Sequence, residues 1–298
     1  MGAGYFAQQI VNGFILGSMY ALVAIGFSLI YGIIRLINFA HGDVVMIGAF
    51  VTLGLMQLSG LPFVVIALAA LAVGALVGLL IERAAFRPMR GAPQVTGFIA
   101  SLAISIMLQN IGILTLTAQP RNFFFPKYLQ QVVNVGAVSF RVVDVMIMGT
   151  ALILMVVLLL IVRKTRLGIA MRATAENLDV ARLMGININR TIMATFAIGS
   201  GLAGIAGLMW GGKFGQIDPL LGYIPGLKSF VAAVIGGVGS IPGAIVGGLI
   251  LGMAEVLFVG LLPPIYSAYR DAFVFSTLIV ILLILPNGLF GKRTEGRA

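Results

Sequence analysis

Few residues in this 298-residue chain can do chemistry, and three of them stand together: Asn38, His41 and Asp43, in LINFAHGDVVMIGAF. An imidazole two residues from a carboxylate has the parts for general acid–base work. Neither a nucleophile nor an oxyanion device accompanies them, so no catalytic residues are assigned and an enzyme is not expected. With one histidine and no cysteine, no metal set is expected, and no cofactor. GLMWGGK (Gly207–Lys213) has the spacing of a phosphate-binding loop. It lacks the following Ser or Thr (Phe214 stands there), no strand precedes it, and it ends an apolar run, so nucleotide binding is not expected. The triplet at Asn189 is a glycosylation site by letter only.

The surroundings of these residues decide the class. Hydrophobic residues make up 60% of the chain and charged residues 9%, with a mean hydropathy of +1.11. A soluble domain carries about 25% charged residues. Apolar runs near the ~20 residues that cross a bilayer recur at 10–34, 61–81, 95–118, 142–162, 191–212 and 272–290. The chain is expected to be all-α: one polytopic helix bundle over 1–298 in a lipid bilayer. The N-terminus has neither a basic region with a small-residue cleavage site nor the myristoylation pattern.

Net charge +10 is the charge of many nucleic-acid binders, but its distribution argues against that partner. Twelve of the nineteen basic residues fall in three short segments: Arg83, Arg87, Arg90; Arg163, Lys164, Arg166, Arg172, Arg182, Arg190; and Lys292, Arg293, Arg297. That is the positive-inside pattern, and it places all three in the cytoplasm. An even number of crossings must then separate them. Between Arg190 and Lys292 parity holds only if 227–262 is split at GGVGSIPG (Gly236–Gly243), where Gly and Pro interrupt a helix. Working backward puts the N-terminus and the loop 119–141 outside and gives eight to nine segments.

Two pieces beside the breaks are short: 44–59 would span roughly 24 Å and 227–238 roughly 18 Å, against a core of ~30 Å. The breaks therefore lie partly within the bilayer, where irregular backbone needs protein or a watered cavity around it. Asn38, His41 and Asp43 are expected either to satisfy backbone groups freed by the first break or to meet a permeant. Gly236, Gly237, Gly239, Ser240 and Gly243 form the second break. The stretches from Ile37 and from Ile235 share a layout of helix, glycine-rich break and small-residue helix. They read as a weak internal repeat in the same orientation, a transporter feature. The Gly74/Gly78, Gly243/Gly247 and Gly248/Gly252 spacings suit close helix packing. Buried carboxylates, which ion coupling needs, are limited to Glu255 and Asp43.

The longest polar stretch between spans is RLGIAMRATAENLDVARLMGININR (166–190), within a cytoplasmic loop 163–190. It reads as one short amphipathic helix, alanine-rich on one face, bearing Arg172, Glu176, Asp179 and Arg182 and closed by Gly185. Such a helix suits a groove on a partner; its two central acids weigh against a role lying on lipid.

Together, YALVAIGFSLIYGIIRLINFAHGD, RATAENLDVARLMGIN and FVAAVIGGVGSIPGAIVGGLILG closely resemble the branched-chain amino acid permeases of ATP-binding-cassette importers, over nearly the whole chain. The resemblance implies a bacterial inner-membrane complex of this permease, a second homologous permease, two ATP-binding subunits and a periplasmic amino-acid-binding protein. ATP hydrolysis then belongs to the partners. DVARLMG resembles the importers' E-A-A-x3-G coupling motif, with Asp179, Ala181 and Gly185 in matching places and Val180 departing from the first alanine. A urea or short-amide permease of the same family, and an ion-coupled secondary transporter, are the alternative readings.

Overall fold

The computed structural model describes residues 2–58 and 60–291; the third basic cluster lies outside them. The chain forms α1 (Ala3–Ile34), α2 (His41–Leu58), α3 (Phe63–Ile81), α4 (Gln94–Leu116), α5 (Val142–Lys164), α6 (Arg166–Glu176), α7 (Leu178–Leu183), α8 (Ile188–Phe214), α9 (Tyr223–Gly236), α10 (Ile241–Leu261) and α11 (Arg270–Ile284). A π-helical turn, Glu82–Phe86, prolongs α3, and a 3-10 segment, Pro264–Tyr269, leads into α11. Among the described residues, seven helical segments are long and apolar enough to cross a membrane; α2 and α9 are the shorter apolar helices beside the two breaks. This is the expected polytopic bundle. Two short antiparallel ladders lie outside the spans: β1 (Arg121–Asn122) pairs with β4 (Gln216–Ile217), and β2 (Val132–Val135) with β3 (Val138–Arg141).

Contacts between segments distant in sequence fix which ends share a face. Tyr5 Oη donates to the Gly260 carbonyl (2.6 Å) and Gln8 Nε2 to that of Ser139 (2.8 Å). The β1–β4 ladder joins 121–122 to the end of α8. The N-terminus, 119–141 and 262–269 thus form one face. On the opposite face Arg90 bonds Asn189, Gly32 packs on Gly239, and Leu289 N–H donates to the Ile235 carbonyl (2.9 Å). The first two basic clusters and the end of the described chain share that second face, as the parity argument requires. We call it the basic face.

Burial separates core from periphery. Of the most apolar window of α1, 89% is buried, and of α8, 78%; for α4 the share is 17%, and for the segment ending in α11 it is 6%. An apolar helix that buries so little of itself in protein has lipid or another subunit as its solvent. Around α1 and α8 the small-residue spacings do what was expected of them. Gly74 and Gly78 seat α3 on Ser200 and Gly204 of α8; Gly248 and Gly252 seat α10 on Ala21 and Gly17 of α1; Gly243 and Gly247 seat α10 on Gly236 and Ala232 of α9. Such backbone-to-backbone approach is how membrane helices gain packing energy without a hydrophobic drive between them.

The internal repeat takes a different form from the one expected. Residues 35–40 re-enter from the basic face as irregular chain, with Arg35 in the left-handed region (φ +56°) and a turn at 39–40, and α2 continues outward, its Asp43 and Met46 reaching Gln109 and Gly112 of outward-running α4. Residues 215–222 fold back from the other face, and α9 then runs to the basic face. A Cβ on Gly42 would come within 2.5 Å of the Gly222 carbonyl and 3.0 Å of Gly226 Cα, so the N-termini of α2 and α9 meet inside the bundle. With α1 on α10 as α8 is on α3, the units α1–α2–α3 and α8–α9–α10 are related by inversion. The counterpart of the first break is therefore 215–222, in opposite orientation. Gly236–Gly243 is the turn between α9 and α10 on the basic face, where Gly237 (φ +100°) and Gly239 (φ +89°) take backbone angles only glycine adopts freely. Spacing shows a helix break but not its depth, which packing decides.

Candidate functional site

The segment 163–190 carries the first set of predicted residues. It is two helices, not one. At Asn177 the backbone is extended (φ −156°) and the side-chain carbonyl accepts from the Asp179 and Val180 N–H groups at 3.0 Å, ending α6 and capping α7. Seen as letters, Asn177 is one polar residue among several; its capping bond breaks the periodicity. Gly185 (φ +80°) closes α7, with its own N–H on the Arg182 carbonyl (3.0 Å) and that of Ile186 on the Ala181 carbonyl (3.1 Å). These two bonds are a Schellman motif. Asn187 then caps α8, accepting from the Arg190 N–H at 3.1 Å. Arg172, Glu176, Asp179, Arg182 and Gly185 are exposed, and Ala181 is buried as the contact that seats α7. Leu183 and Met184 stand 86% and 78% exposed at the tip of α7.

The second set lies where the two short helices meet. Asn38, His41 and Asp43 are all buried. The expected capping role is not what their side chains do. The first turn closes through backbone, His41 N–H to the Asn38 carbonyl and Asp43 N–H to that of Ala40, both 3.1 Å. Asp43 Oδ1 instead accepts from Gln109 Nε2 (2.9 Å), the imidazole of His41 stands edge-on to Phe27 with ring centroids 4.7 Å apart, and neither polar atom of the Asn38 side chain has a hydrogen-bond partner. Two helix N-termini directed at one interior place present the positive ends of their dipoles there. Among the second-break residues, Ser240 caps α10 through Gly243 N–H (3.1 Å). Gly236 and Gly237 are covered by the chain end, Phe290 N–H donating to the Gly236 carbonyl at 2.9 Å. These residues sit at the basic face, away from Asn38, His41 and Asp43.

Sequence reasoning missed the ion pairs. Lys228 (1% exposed) lies within α9, 2.8 Å from Glu255 Oε1 and 2.7 Å from Asp271 Oδ1; Arg270 Nε is 3.2 Å from Glu255, and Tyr20 Oη donates to Glu255 Oε2 at 2.9 Å. A lone lysine in the apolar run of 223–236 is itself the signal, since a membrane-buried cation requires an anion. Two more buried carboxylates join Glu255 and Asp43. Asp144 pairs with Lys213 at 2.7 Å; Glu82, in the π-helical turn, pairs with Arg90, which also holds Asn189 at the start of α8. Among the described residues no group of three or more His, Asp or Glu stands close enough to hold a metal ion.

A bundle with an inverted repeat, two shorter helices meeting inside it and polar residues at their junction defines a multi-pass membrane permease. The chain belongs to the family described as branched-chain amino acid transport system / permease component, whose model matches residues 9–283. It is 41% identical to the high-affinity branched-chain amino acid transport system permease protein LivH of Escherichia coli K12, over 97% of this chain and 96% of that one. It is 39% identical to BraD of Pseudomonas aeruginosa, also a high-affinity branched-chain amino acid permease protein, over the same shares. A probable LivH of Methanocaldococcus jannaschii is 32% identical over 95% of this chain and 92% of that one. The solved PsaBC from Streptococcus pneumoniae in complex with Fab shares the fold at a TM-score of 0.50 and 15% identity, covering 95% of this chain and 92% of that one.

Proposed function

We propose that this chain is the membrane-spanning subunit of an ATP-binding-cassette importer that carries branched-chain amino acids across a bacterial inner membrane. In this reading a periplasmic binding protein delivers the amino acid to the N-terminal face. A second homologous permease completes the path, and two ATP-binding subunits dock on the cytoplasmic, basic face. The observation that carries it is α7. A six-residue helix fixed at both ends by caps holds two apolar side chains, Leu183 and Met184, out from the basic face. Exposed apolar groups on a rigid knob are what a partner's groove buries. Arg172, Glu176, Asp179 and Arg182, exposed on α6 and α7, would set register by charge. The backbone leads from Gly185 straight into α8, the central helix, and through Asn189 and Arg90 to α3. Force on α7 therefore reaches the two elements that hold α2.

Alternating access is then a shift between inward- and outward-open states that the ATP-binding subunits favour differently. In this reading Asn38, His41 and Asp43, buried at the convergent N-termini of α2 and α9, meet the permeant as it passes. Glu255, already held by Lys228 and Arg270, is not free to bind a coupling ion, which weighs against a secondary transporter. The test is reconstitution with the partner subunits in proteoliposomes. Uptake of leucine, isoleucine and valine should need ATP and the binding protein. Uptake driven by an ion gradient without ATP would overturn the reading. Leu183→Asp with Met184→Asp should abolish co-purification of the ATP-binding subunits while the permease still inserts.

A further inference from the structure

A cavity of about 690 Å³ opens beside the Lys228–Glu255 pair, toward the N-terminal face. Its size is that of small-molecule sites, about 300–1,000 Å³. Its walls are of two kinds. One is apolar and comes from α1, α8, the 215–222 turn and the start of α9: Leu16, Trp210, Phe214, Leu221 and Ile224. The other is ionic, with Tyr20, Lys228, Glu255, Arg270 and Asp271 meeting at one end. The ionic end has a fixed half and an open half. Lys228 and Glu255 are 2% exposed in their side chains, whereas Arg270 is 48% exposed and Asp271 44%. Arg270 Nε and Asp271 Oδ1 are 3.6 Å apart at the mouth, each anchored to the fixed half, Arg270 to Glu255 (3.2 Å) and Asp271 to Lys228 (2.7 Å), while about half of each side chain stays open to the cavity.

We infer that this cavity receives a zwitterionic, aliphatic α-amino acid on the delivery side of the permease. Its carboxylate would be taken by Arg270, its ammonium by Asp271, and its side chain by the Trp210 wall. Charge decides the class. Lys228 and Arg270 against Glu255 and Asp271 make a neutral network whose open half presents one cation and one anion side by side, so a ligand carrying both charges keeps the network neutral and strands neither group. A simple anion or cation leaves a charge uncompensated, and a neutral amide gains no ion pair. The fixed half, Lys228 and Glu255, holds α9 to α10 and α11 so that the open half keeps its spacing. The inference rests on the importer reading and adds a site on the outer side, separate from the α2–α9 junction.

The chain has no cysteine, so Val259→Cys at the cavity's edge gives a single thiol for labelling. In the assembled complex in proteoliposomes, L-leucine should slow its reaction with a membrane-impermeant maleimide. Isocaproate, lacking the ammonium, and isoamylamine, lacking the carboxylate, should each need roughly tenfold more to do so, the worth of one charge-assisted contact. Arg270→Gln should remove the advantage of leucine over isoamylamine, and Asp271→Asn its advantage over isocaproate; unchanged melting temperatures confirm that each variant is folded. Equal protection by all three compounds, or a leucine preference untouched by both substitutions, overturns the site. ATP-dependent leucine uptake by the cysteine variant separates the two readings. With uptake intact and no charge-selective protection, only this site fails; without uptake in the wild-type complex, the importer reading fails.

Discussion

Substitution of Gly185 tests the coupling role of α7 most directly. Gly185 has φ +80°, and a Cβ built on it meets nothing within 4 Å, so a side chain there costs backbone strain and no clash. A non-glycine residue in the left-handed region costs about 1–2 kcal/mol. α7 has six residues, too few to stand without its caps. The strain therefore falls on the two bonds that close the helix, from the Gly185 and Ile186 N–H groups. One to two kcal/mol is a factor of roughly 5–30 in the population that presents Leu183 and Met184 correctly. Gly185→Val should lower substrate-stimulated ATP hydrolysis of the reconstituted complex by that factor when the ATP-binding subunits are limiting, with membrane insertion unchanged. Gly185→Asn should recover most of the loss, because asparagine visits the left-handed region readily. Full coupled activity in Gly185→Val would refute the argument. Equal loss in both variants would trace the defect to a side chain blocking the partner and not to the backbone.

Three further outcomes are expected. Gln130→Cys should react with an impermeant thiol reagent added outside cells and Lys164→Cys should not; the reverse pattern would invert the topology. Lys228→Met leaves the buried Glu255 carboxylate with only the half-exposed Arg270 and the Tyr20 hydroxyl, and should destabilise the protein by up to about 3–5 kcal/mol. Adding Glu255→Gln should restore most of the melting temperature in detergent, and failure to do so would show that the lysine acts other than by pairing. Asn38→Leu should leave the melting temperature unchanged or raised, since neither polar atom it removes has a hydrogen-bond partner. The same variant should lose uptake, and normal uptake would take Asn38 out of the path.

Composition and the positions of the basic clusters were enough to define a multi-pass helical protein, because the bilayer admits few solutions for so apolar a chain. The bounds of α3, α4, α5 and α8 follow within a few residues from run length and flanking charge. Parity alone required a break near Gly236–Gly243, and Gly237 and Gly239 supply it. Gly185 was legible as a helix stop because its role is local, set by its own φ. What the letters left open was everything set by partners far along the chain. Asn177 divides the basic-face segment only because its side chain caps α7 in place of continuing α6. Spacing paired the first break with Gly236–Gly243, whereas packing of Gly42 on Gly222 pairs it with 215–222 in the opposite sense. Lys228, Glu255, Arg270 and Asp271 come from three helices, and no local pattern announces that they meet. Local backbone chemistry is written in neighbouring residues; depth, inversion and ion pairing arise only when distant helices close on one another.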